Sequence, residues 1–173
     1  ASHGIFNYGD GLQVKQHVPE ILWLANKYEN SKDAAAALIE LSGLTMANYE
    51  DRVLALLWLD ESVISDDITL PLDSFYQGEN VVTFRDKWSA TDSAFVGIHG
   101  GKTVVDHSQL DGGSFVLDAE GYRWAVDQGM TSYDVPNVFD TKDYRWRYYL
   151  NRAEAHNTLV IDPDTGPDHT LDS

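Results

Sequence analysis

Cysteine is missing from all 173 residues. That excludes a disulfide framework and any thiolate metal site, so a bound metal must rely on nitrogen and oxygen donors. Basic residues are scarce, with 12 Lys and Arg against 28 Asp and Glu and a formal net charge of -16. Such a balance repels phosphate backbones and anionic headgroups, which argues against nucleic-acid and anionic-membrane partners. The positive charge that exists is concentrated, with Lys142, Arg145, Arg147 and Arg152 inside eleven residues. This cluster either pairs with surrounding carboxylates or offers a local patch to an acidic ligand. No apolar run reaches the ~20 residues of a membrane-spanning helix. No secretory leader is legible, and ASHGIFNYGDG reads as a mature or truncated start, compatible with a periplasmic or secreted protein.

What is present divides into two kinds of pattern, and a hydrophobic share of 43% is enough to bury the core of one domain or parts of two. In VKQHVPEILWLANKY, Val18, Ile21, Ala25 and Tyr28 recur at helical spacing, and Leu22 and Leu24 widen the stripe. Ser31 is placed to cap the alanine-rich run KDAAAALIEL, with Gly43 to end it. YEDRVLALLWLD makes a third helix with Val53, Leu54, Leu57 and Trp58 as its buried side. The period changes over residues 66–80. Short candidate strands then follow at 81–85, 93–99, 102–106, 114–118, 121–127 and 157–162, separated by Gly, Asp and Ser. The expectation is an α+β chain, helical over 1–69 and an antiparallel β-sandwich over 70–173. Alternation puts Tyr122, Trp124 and Val126 on one face and Arg123, Ala125 and Asp127 on the other.

Four polar residues stand apart from these patterns: His107, Gln109, Asp127 and His156. Alternation sets His107 and Gln109 on the same side of an extended segment, and the Gly112–Gly113 turn follows them. His156 enters 29 residues after Asp127. An imidazole, a carboxylate and an amide carbonyl form a mixed N/O set able to hold zinc or another divalent ion, or simply a hydrogen-bonded cluster. His3, His17, His99 and His169 read as structural or solvated. The run YRWRYYL at 144–150 places aromatic rings beside arginines. That suits a sugar-binding groove, and it equally suits the seam between a helical part and a sheet.

Taken together, DHSQLDGGSFVLDAEGYRWAVDQG and RWRYYLNRAEAHNTLVID resemble the heparinase II/III-like polysaccharide lyases, nearest to their heparinase III and alginate lyase types. The matching features are the His-x-x-x-Asp-x-Gly-Ser-Phe turn from His107 to Phe115, the strand closing on Asp127-Gln-Gly129, and the HNT element at His156–Thr158. The resemblance implies the last helices of an α/α toroid followed by antiparallel sheets. It also implies a divalent ion on Asp127 and His156, with Gln109 standing where the family carries a histidine. That substitution keeps zinc in view and makes calcium, which prefers oxygen, credible. The family's substrate-contacting, proton-abstracting histidine falls on His107.

The implied reaction is β-elimination on an acidic, uronate-containing glycan: the carboxylate is neutralised, the C5 proton is removed, and the C4 oxygen leaves with a proton. Neutralisation is needed because the carbanion at C5 is otherwise too high in energy. Tyr144, Arg145, Arg147 and Tyr148 are the expected substrate-binding side chains, their charge offsetting the acidity of the chain. The family's neutralising asparagine and catalytic tyrosine have no counterpart in residues 1–65. The chain is therefore expected to be part of an active site, partnered by the remainder of its own protein. The alternative is a carbohydrate-binding or structural β-domain that keeps the fold without the chemistry. Asp106, Asp111 and Asp118 also admit a hydrolase, though no spacing singles out a carboxylate pair.

Overall fold

The computed structural model describes residues 5–11, 19–28, 31–32, 34–36, 49–60, 69–88, 92–101 and 107–163. Gly43 and the expected strand at 102–106 lie outside them, as do His3, His17 and His169. Helix α1 spans Glu20–Lys27 and helix α2 spans Tyr49–Trp58. Pro19 precedes α1, where its missing N–H costs nothing, and Glu20 and Lys27 sit at the ends the helix dipole favours. Tyr28 leaves the helix in extended backbone, its N–H donating to Leu24 O at 2.7 Å.

The helices meet through small residues. Leu22, Ala25, Ala35 and Ala55 form the buried cluster, flanked by Ile21, Trp58 and Leu59. Alanine at the contact lets backbones approach closely, so Ala55 defines the buried side of α2. Val53 and Leu57, expected inside, are exposed.

Five strands make one antiparallel sheet in chain order: β1 Ser74–Tyr76, β2 Val81–Arg85, β3 Phe95–His99, β4 Ser114–Ala119 and β5 Tyr122–Ala125. Four of the expected strands are therefore present, and β1 is an addition. Residues 157–162, expected as a strand, form none. Their side chains explain it: Asn157 and Thr158 bond to carbonyls of Phe115, Val126 and Gly112, while Leu159 and Ile161 face outward. The β4–β5 hairpin closes on Glu120 (φ 52) and Gly121 (φ 79), two positive angles that match the twist of paired strands.

Register divides the sheet into two faces. Val81, His99 and Ser114 line up on one, as do Thr83, Gly97 and Val116. Across this face runs the segment 5–11, which we term the strap. Arg123 Nη1 donates to Ile5 O at 2.7 Å, Phe6 lies on Gly97, and Tyr8 stacks on His99 with centroids 4.5 Å apart. A Cβ on Gly97 would fall 2.6 Å from Phe6 Cδ1, so any larger residue there would have to push the Phe6 ring aside. The opposite face carries Phe75, Val82, Phe84, Val96, Ile98, Phe115 and Leu117, with the three phenylalanines exposed. Residues 126–163 fold as loops and short 3-10 turns around Leu110, Trp146 and Ala153.

Candidate functional site

The connection from β3 to β4 carries the polar residues to the end of the sheet. His107 adopts φ 62, a left-handed backbone that histidine tolerates better than most residues, and its side chain is 65% exposed. The next residues turn inward, and Ser108, Gln109, Leu110 and Asp111 are all buried. The strap docks against this turn. Asp10 N donates to His107 O at 2.9 Å, and Gly9 N donates to Asp111 Oδ2 at 2.7 Å. Gly9 has φ +57 and a Cβ there would sit 3.0 Å from His107 O.

Asp10 is the hub of the arrangement. Its Oδ1 accepts from Arg145 Nη2 at 2.7 Å and from Gln109 Nε2 at 3.2 Å. Its Oδ2 accepts from Tyr133 OH at 2.9 Å and lies 3.6 Å from His107 Nδ1. Tyr133 OH is in turn 2.8 Å from His107 Nδ1. Burial, then the hydrogen bond to Asp10 and its charge, raise the Tyr133 phenol above its ordinary pKa. A cavity of about 580 Å³ opens over Tyr8, Asp10, Glu79, His99, His107 and Tyr133, and a second of about 260 Å³ lies between His107, Phe139, Thr141 and Arg145. His107 lines both.

A second, fully buried group sits behind. His156 Nδ1 is 2.9 Å from Asp127 Oδ2, while Asp127 Oδ1 accepts from Gly129 N at 2.8 Å and from Asn7 Nδ2 at 3.4 Å. The alternation expected for 122–127 holds: Asp127 points in, and Tyr122, Trp124 and Val126 point out. Every side chain of the HNT element has a structural bond, His156 to Asp127, Asn157 to Phe115 O and Val126 O, and Thr158 to Gly112 O. Beside them His99 Nδ1 lies 3.4 Å from Asp111 Oδ2. Burial works to raise the Asp111 carboxyl, but the His99 and Gly9 contacts and the charges of His99 and His156 outweigh it and hold the pKa below its ordinary value.

The expected metal trio is thus brought together only in part. Asp127 and His156 touch, whereas Gln109 turns its amide nitrogen to Asp10. Among the described residues no group of three or more His, Asp or Glu is arranged to hold an ion. Within the trio, Gln109 Oε1 and His156 Nε2 are among the buried polar atoms that have no hydrogen-bond partner among the described residues.

The basic-aromatic stretch is split by its backbone. Tyr144–Arg147 is a 3-10 turn rather than an extended segment, so Arg145 and Arg147 do not share a face. Arg145 points inward, its Nε and Nη2 donating to Ser108 O and its Nη1 to Val138 O. Arg147 is 61% exposed, pairs with Asp143 at 2.5 Å and lies over the Tyr144 ring at 4.6 Å. Tyr148 OH donates to Pro136 O at 2.5 Å. Sequence reasoning missed Asp10, Asn7 and Tyr133. Asp10 and Asn7 belong to a short segment without periodicity, and their partners lie about a hundred residues or more away.

Residues 87–167 match the family described as Heparinase II/III-like, C-terminal. With the strap, the sheet and the HNT element in place, the chain is similar at the family level to proteins of the heparinase II/III-like fold. Among solved structures, the heparan sulfate lyase HepC from Pedobacter heparinus aligns over 90% of this chain and 21% of its own, at 14% identity and a TM-score of 0.50. The heparinase III BT4657 gene product with methylated lysines aligns over 91% of this chain and 21% of its own, at 15% identity and a TM-score of 0.50. The chain therefore spans about a fifth of the length of these structures. No curated protein matches it.

Proposed function

We propose that the chain is part of a periplasmic or secreted polysaccharide lyase that cleaves uronic-acid-containing glycans by β-elimination. Its base is His107, which takes the C5 proton. The observation that carries this reading is the placement of His107: an exposed imidazole held in left-handed backbone, where two cavities meet, with one ring nitrogen anchored. Left-handed backbone at a non-glycine residue that also lines a cavity is a feature functional sites share. Tyr144, Arg147 and Tyr148 are assigned to the glycan. An exposed arginine pair such as Arg147–Asp143 is weak, so a uronate or sulfate displaces Asp143 at little cost. Arg145 contributes from behind, through Asp10.

Gln109, Asp127 and His156 are the residues that would hold a divalent ion, zinc or the more oxygen-seeking calcium. They fit it in one respect. The buried Nε2 of His156 and the Oε1 of Gln109 have no hydrogen-bond partner among the described residues and could take the ion, while Asp127, on the opposite Nδ1 side of the ring, would help hold it by orienting the imidazole. When bound, the ion would pin the 107–113 turn, the segment that follows β5 and the HNT element together.

The remainder of the parent protein is proposed to supply the carboxylate-neutralising donor and most of an α/α toroid, of which residues 1–69 form the end. Residues 70–173 belong to a β-sandwich. The exposed phenylalanines on the far face of the sheet support this, since an apolar face of that extent is normally covered by a second sheet. In the full-length parent, His107→Ala is expected to cut elimination, followed by ultraviolet absorbance of the unsaturated product, by roughly 10²-fold or more while leaving thermal stability unchanged. Wild-type rates in that variant would overturn the assignment. Glycan binding without any elimination in the parent would make this a binding module.

A further inference from the structure

We propose that Arg145, Asp10 and Tyr133 form a positioning relay that fixes the tautomer of His107, protonating Nδ1 and leaving Nε2 bare toward the cavity. It rests, for its chemical purpose, on the reading of His107 as a base.

The direction of each hydrogen bond follows from the inventory of protons. A guanidinium has donors only, and a carboxylate paired with one is an acceptor only. Arg145 and Asp10 are paired at 2.7 Å with side chains 2% and 3% exposed, so water does not compete for the contact. The remaining bonds of Arg145, to Ser108 O and Val138 O, keep the guanidinium from turning away. Asp10 Oδ2 therefore needs a proton from Tyr133, 2.9 Å away. Tyr133 has one hydroxyl proton. With that proton on the Asp10 side, its oxygen faces His107 Nδ1 at 2.8 Å as an acceptor. The imidazole must then donate from Nδ1.

Nothing else among the described contacts fixes the ring so closely. The side chain is 65% exposed, and its aromatic neighbours Tyr133 and Phe139 lie at centroid distances of 6.0 and 6.5 Å. A histidine so exposed in water prefers the opposite tautomer, with the proton on Nε2, which would turn a donor rather than a base toward the substrate. The relay reverses that preference. It does the work that a carboxylate does for the histidine of a serine-protease triad, with a phenol inserted between the two. Asp10 and Tyr133 are positioning residues.

The test is the ¹⁵N chemical shift pattern of the His107 ring in the full-length parent, recorded where the imidazole is neutral and assigned by its loss in His107→Gln. The Nδ1–H form should predominate. Tyr133→Phe removes one oxygen from a partly exposed ring, preserves the fold by circular dichroism, and should shift the population toward Nε2–H. The same variant should lower kcat for elimination by roughly 10- to 100-fold at unchanged KM. Asp10→Asn, which keeps the shape of the hub, should do the same. A wild-type ring already in the Nε2–H form, or a tautomer indifferent to Tyr133→Phe, overturns the relay. The tautomer result stands whether or not the parent cleaves glycans: a confirmed Nδ1–H ring in a protein without lyase activity would refute the function and keep the relay.

Discussion

Arg145 and Arg147 are two residues apart, and removing them should have opposite consequences. Arg145→Met replaces a buried guanidinium by an apolar chain of similar length. It deletes the donors to Ser108 O and Val138 O and leaves Asp10 buried with Tyr133 and Gln109 as its side-chain donors among the described residues. Breaking one side of a buried pair costs about 3–5 kcal/mol, mostly because the other charge is left uncompensated. Hydrogen exchange of the 107–113 amides reads that locally, whatever the size of the parent protein. If the loss falls on local opening, those amides should exchange roughly 10²- to 10⁴-fold faster. Arg145→Met with Asp10→Asn should recover much of the protection, since no charge is then stranded. Arg147→Ala should leave exchange and thermal stability as they are, while lowering glycan affinity and flattening its salt dependence. The reasoning is refuted if Arg145→Met exchanges like the wild type and it is this variant that loses salt-dependent glycan binding.

Gly97→Ala should cost about 1–3 kcal/mol by displacing the Phe6 ring, exposing the amides of residues 5–11 to exchange while β2–β4 stay protected; equal protection in both would show that the strap does not depend on this crossing. Dialysed parent protein should retain one divalent ion, a chelator should lower its thermal midpoint, and Gln109→Leu should abolish both effects; absence of retained metal would refute the ion.

Much of the sheet was legible because alternation is a local property. VVTFR, FVGIH and YRWA carry it in their own residues, and glycines or acidic residues mark their ends. β1 was not legible, because three residues give no period. LVI at 159–161 imitates a strand, yet the side chains of Asn157 and Thr158 tie the residues before it to Phe115 O and Gly112 O instead. The inward turn of Asp127 was readable from alternation, and its meeting with His156 was implied by the family resemblance. The fates of Arg145 and Arg147 were not, since they depend on whether 144–147 is extended or a 3-10 turn. Asp10 gave no signal at all: its role exists only through partners distant in sequence.

That distance sets the order in which the molecule matures. The strap reaches its partners across separations of 102, 123 and 135 residues. Contacts so remote in the chain carry the largest loop-closure entropy and contribute little to early folding, when the hairpins of β1–β5 can form from neighbours. The sheet should therefore be assembled before the strap lies down, and His107 should gain its fixed ring only at the final step. A ribosome-bound or newly refolded chain passes through a stage that is folded by every spectroscopic measure of the sheet and still has an unaimed imidazole. In the parent protein, recovery of activity should lag recovery of secondary structure, and the lag reports the docking of seven residues.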